Sequence, residues 1–80
     1  MARRQSRREN STARHQFGKR LRAVRTERGI SQERLSEMVD GHRNFIGQIE
    51  RGEANPTFDY LVKIAKALKV SPAALFDSIP

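Results

Sequence analysis

Apolar residues recur at helical spacing in five successive stretches, each bounded by residues that start or stop helices. Phe17, Leu21 and Val24 define the first, which closes near Arg28-Gly29, where glycine can take the left-handed conformation that ends a helix. Ser31 then offers a hydroxyl to the backbone of Arg34, and Leu35, Met38 and Val39 form one apolar stripe that stops at Asp40-Gly41. A third helix is expected from about Arg43 to Arg51. Phe45, Ile46 and Ile49 turn inward on it, and Arg43, Asn44, Gly47, Gln48 and Arg51 face outward before Gly52 ends it. Thr57 caps a fourth helix that is apolar through Phe58, Leu61, Val62, Ile64, Ala65 and Leu68. Ser71 and Pro72 open a fifth carrying Leu75, Phe76 and Ile79, with proline at the first position, where its missing N–H costs nothing. The expected fold class is all-α, and no strand is expected.

Residues 1–16 break this pattern. They hold Arg3, Arg4, Arg7, Arg8 and Arg14 against the single acid Glu9, with no apolar residue larger than alanine after Met1. Such a segment buries too little apolar surface to offset its ordering entropy, so a flexible basic N-terminal arm is expected over 1–16 and the folded domain over 17–80. The arm serves either as a set of phosphate contacts or as a solubilising tail.

Composition narrows the function. Eighty residues form one small domain with a marginal core, and the absence of cysteine removes disulfides and thiolate metal sites as supplements. Self-association is the expected extra source of stability. Sixteen Lys and Arg against nine Asp and Glu leave a net charge of +7, which draws polyanions at long range. No run approaches the length of a membrane span or a secretory signal, so a cytoplasmic chain is expected. Neither His15 nor His42 has a second ligand or catalytic partner nearby in sequence, and no glycine-rich phosphate cradle occurs; no cofactor, metal or enzymatic activity is expected.

The informative stretch runs from Ser31 to Gly52. Two short helices joined by the polar turn Asp40-Gly41-His42 read as a helix-turn-helix, which sets its second helix on the surface, where a major groove about 12 Å wide admits it. Asn44 and Gln48 stand four residues apart, hence on one face, and each amide can present a donor and an acceptor to adenine N6 and N7 together. Arg43 can fork onto guanine or clamp a phosphate, and His42 either shapes the start of the helix or touches a base. Arg51 and Asn55, just beyond the helix, are placed for backbone contacts.

These residues resemble the phage-repressor (Cro and cI) class of helix-turn-helix regulators, the XRE family. The resemblance is carried by Ser31-Gln32, Leu35, Ile46, Ile49-Glu50 and Gly52, and continues through Leu61 to Leu68, Pro72 and Leu75-Phe76. It covers about residues 17 to 79, and the small stand-alone size is similar to restriction-modification controller proteins. It implies a compact five-helix, lambda-repressor-like DNA-binding domain that acts as a homodimer on a palindromic operator in double-stranded DNA. It further implies a phosphate contact by Gln32, a structural ion pair between Arg25 and Glu50, and a dimer interface on the fifth helix and its preceding turn, with Val70, Pro72, Phe76 and Ile79 available. Two positions depart from the family pattern. Members carry glycine where Asp40 stands and an apolar residue where Gly41 stands, so the turn lacks its usual buried plug. The alternative reading is an antitoxin-like module that binds a partner protein as well as DNA.

Overall fold

The computed structural model describes residues 2–41 and 44–77, with side chains described from Thr12 onward. Five helices follow in order: α1 (Ala2–Glu27), α2 (Gln32–Met38), α3 (Phe45–Glu50), α4 (Phe58–Leu68) and α5 (Pro72–Leu75). No strand occurs among the described residues. The Ser31 hydroxyl accepts from Arg34 N at 3.0 Å and the Thr57 hydroxyl from Tyr60 N at 3.1 Å, so two helix starts rest on side-chain caps. Gly29 and Gly52 take φ of +69° and +75° at the turns after α1 and α3. Ser71 occupies the cap position of α5 but makes no side-chain cap bond.

One core joins all five helices. Phe17, Leu21 and Val24 of α1 meet Leu35 and Val39, Ile46 and Ile49, Ile64, Ala65 and Leu68, and Leu75. Full burial of side chains such as Leu21, Ile46 and Ile64 contributes about 1.5–3 kcal/mol each. Gly18 lets α1 and α3 approach closely, since a Cβ there would strike the carbonyl oxygens of Ile49 and Glu50.

Several expectations are corrected. Helical backbone begins at Ala2, not near Phe17. The segment before Phe17 contains neither glycine nor proline, and extending a helix already nucleated by Phe17 to Val24 costs far less than starting one. Phe58 is 73% exposed instead of buried. It is the first residue of α4, and side chains on a helix lean toward its N-terminus, so this one projects past the end of the core. Met38, 39% exposed, lies at the edge of the α2 stripe, while Ser36 is buried beside Leu35.

The departures at the turn are resolved by a residue distant in sequence. Asp40 takes φ +53°, the left-handed conformation otherwise supplied by glycine, and Gly41 N donates to Ser36 O at 3.0 Å. The space above Gly41 is filled by the hydroxyl tip of Tyr60 of α4, whose ring packs edge-on against Phe45 with centroids 5.0 Å apart. Tyr60 thus occupies the place of the apolar side chain that position 41 lacks. Its hydroxyl is buried with no hydrogen-bond partner among the described residues, and burial raises its pKa above the ordinary phenol value. Tyr60→Phe keeps the ring against Phe45 and removes the orphaned hydroxyl; chemical denaturation is expected to show no loss of stability and a gain of up to about 1 kcal/mol.

Candidate nucleic-acid interface

The polar surface between α2 and α3 is organised from a buried carboxylate outward. Glu50, the last residue of α3, has a side chain only 3% exposed. Arg25 of α1 binds it through two nitrogens, Nε to Oε2 at 2.6 Å and Nη2 to Oε1 at 3.1 Å, and donates a third bond from Nη1 to Ile30 O at 2.7 Å. Gln32 Nε2 of α2 donates to Glu50 Oε1 at 2.9 Å. Three helices thus converge on one carboxylate, and a planar guanidinium bound two-pronged fixes angle as well as distance.

Above this hub lies a polar concavity of about 340 Å³ lined by Gln32, Glu33, Asn44, Gly47, Gln48 and Arg51. Asn44 sits at the cap position of α3 without a side-chain cap bond, and both Asn44 and Gln48 are exposed. Gly47 faces this concavity, as expected, but is not open to solvent. It is buried beneath Arg51 and Gln32, whose Nη1 and Oε1 would stand 3.2 and 3.3 Å from a Cβ at that position. At the far edge, Arg51 Nε donates to Glu53 Oε2 at 3.0 Å. That hydrogen bond raises the pKa of the Arg51 guanidinium and holds the Glu53 carboxyl below the usual carboxylate range.

This surface is the one a helix-turn-helix presents to a duplex, and the family pattern of helix-turn-helix proteins matches residues 21–75. The chain belongs to the helix-turn-helix family. Control protein C.BamHI of Bacillus amyloliquefaciens is 44% identical over 62 residues, covering 76% of each chain. The immunity repressor of Bacillus phage phi105 is 34% identical over 58 residues, which span 72% of this chain and 40% of that one. Among solved structures, the restriction-modification controller protein C.AhdI from Aeromonas hydrophila superposes with a TM-score of 0.77 at 40% identity, covering 79% of this chain and 96% of the other. The family and the all-helical fold implied by the Ser31 to Phe76 motifs are therefore both found.

The remaining candidate residues fall in different places. His42, Arg43 and Ile79 lie outside the described residues, as do the side chains of Arg3, Arg4, Arg7 and Arg8. Asn55 is exposed and lines not this concavity but an apolar groove of about 190 Å³ that Arg14, Phe17, Pro56, Leu61 and Phe76 also line. Of the expected interface residues, Val70 packs partly buried against the core, Pro72 is exposed, and Phe76 is 40% exposed with its ring 5.2 Å from that of Phe17. Three participants carried no sequence signal of their role. His15 stands against Gly52, where a Cβ would come within 2.9 Å of the ring; Gly18 sets the α1–α3 separation; Glu53 engages Arg51. Among the described residues no group of three His, Cys, Asp or Glu is placed to hold a metal ion, and no helix is long and apolar enough to cross a membrane.

Breaking the hub from one side leaves a charge stranded. Arg25→Ala is expected to destabilise the domain by about 3–5 kcal/mol in urea unfolding, because Glu50 then keeps only Gln32 as a donor.

Proposed function

We propose that this protein is a sequence-specific, double-stranded-DNA-binding transcription regulator that lays α3 in the major groove and acts as a homodimer. The observation that carries the reading is the pair of exposed amides, Asn44 and Gln48, standing on one face of α3 over a polar concavity backed by the Arg25–Glu50–Gln32 hub. Asn44 and Gln48 read base edges, each matching the donor and acceptor of an adenine. Gln32 has one amide hydrogen committed to Glu50, and its remaining polar capacity serves a phosphate, setting register without reading sequence. His42 and Arg43 extend the contact at the start of α3, Arg51 and Asn55 at its end, and the arginines of residues 1–16 add phosphate contacts that strengthen binding to any sequence. The names of the relatives, a control protein and an immunity repressor among them, agree with a regulatory role.

One reading helix spans too few bases for genomic selectivity, so two copies on a two-fold site about 34 Å apart complete the function. Exposed Pro72 and Phe76 are available for that contact. A second reading, in which the same domain also docks a partner protein and has no catalytic role, is favoured by Phe58, a large apolar side chain that the fold leaves 73% exposed.

Competition binding against duplexes varied one base pair at a time tests base readout. Asn44→Ala and Gln48→Ala are each expected to flatten preference at one position by about 1–3 kcal/mol; variants that keep the wild-type ranking of sequences would refute readout by α3. Sedimentation at micromolar concentration is expected to show a dimer, and a monomer both free and on DNA would exclude the two-fold arrangement.

A further inference from the structure

Taking an acidic side chain off a DNA-binding surface ordinarily tightens binding, because a carboxylate repels phosphate. The geometry around Glu53 points to the opposite result. Arg51 and Glu53 are both more than half exposed, so their ion pair adds little to the stability of the fold. What the pair fixes is direction. Arg51 donates from Nε alone to Glu53, while Nη1 reaches over Gly47 into the concavity shared with Gln32, Asn44 and Gln48. An arginine grips a phosphate with its terminal fork, and a fork already aimed loses less rotamer freedom on binding than a free one.

Glu53 is itself held in place. Its backbone N–H donates to Gln48 O at 2.8 Å, directly tying it to the reading helix. The preceding residue, Gly52, has φ +75° and accommodates His15 of α1 against its bare Cα. The hydrogen bond from Arg51 favours ionised Glu53, holding its carboxyl below the usual carboxylate range. A chain of contacts therefore runs from α1 through the turn after α3 to the guanidinium at the edge of the concavity.

We propose that Glu53 is a positioning residue that aims the Arg51 fork at one backbone phosphate beside the bases read by Asn44 and Gln48. The proposal rests on the DNA-binding reading above. Its test is the salt dependence of duplex binding by the full chain. Glu53→Ala, although it removes a negative charge, is expected to weaken binding about five- to tenfold on every sequence and to lower the slope of log affinity against log salt by about 0.9, the loss of one phosphate contact. Glu53→Gln, which retains an acceptor for Nε, is expected to recover most of both. In an Arg51→Gln background Glu53→Ala should cost nothing more, and thermal unfolding of the Glu53 variants should match wild type. Binding by Glu53→Ala as tight as or tighter than wild type, with an unchanged slope, overturns the role of Glu53, as does a Glu53→Gln that is no better than the alanine variant. A wild-type protein with no affinity for duplex DNA would overturn the DNA-binding reading and this proposal together.

Discussion

The rest of the molecule depends on the carboxylate of Glu50. Withdrawing a carboxylate from water costs several kcal/mol, and only excellent geometry with its lone pairs occupied offsets that cost. Here Arg25 binds it at two points and Gln32 at a third, while the remaining Arg25 nitrogen reaches Ile30 O at the turn between α1 and α2. The hub is therefore better understood as a device for orientation than as a source of net stability. Apolar contacts among Ile46, Ile49 and Leu21 tolerate sliding; a two-pronged ion pair does not. The angle at which α3 presents Asn44 and Gln48 is set where α3 ends.

Close approach completes the frame. Because Gly18 has no side chain, α1 lies directly on the carbonyls of Ile49 and Glu50, which brings Arg25 within reach of the carboxylate two turns further along. On the other side of α3, the turn from α2 departs from the pattern of the family, yet two other residues maintain its conformation. Asp40 takes the positive φ, and Tyr60 fills the space over Gly41 from α4. A side chain delivered from another helix replaces one missing from the turn, and its ring also braces Phe45 at the start of α3.

Features governed by neighbours along the chain were legible in the sequence. Ser31 and Thr57 cap because their hydroxyls meet an N–H three residues on, Gly29 and Gly52 stop helices because they tolerate positive φ, and the spacing of Leu21, Ile46, Ile49, Ile64 and Leu68 marks the core. The outward placement of Asn44 and Gln48 followed from the same periodicity. What depends on residues far apart in the chain was not legible. The exposure of Phe58 reflects where the core ends, the burial of Gly47 reflects the rotamers chosen by Arg51 and Gln32, and the contact of His15 with Gly52 requires α1 to continue beyond the body of the domain. Periodicity assigns a residue to a face; it does not say how far along that face the partner helix extends.

The central claim is that the buried carboxylate holds α3 with its polar face presented to a duplex. Selection of random double-stranded DNA on the purified protein, followed by sequencing of the retained pool, tests it most directly. The account predicts enrichment of one short motif repeated with two-fold symmetry at a separation of about one helical turn. A retained pool with no sequence in common would contradict it.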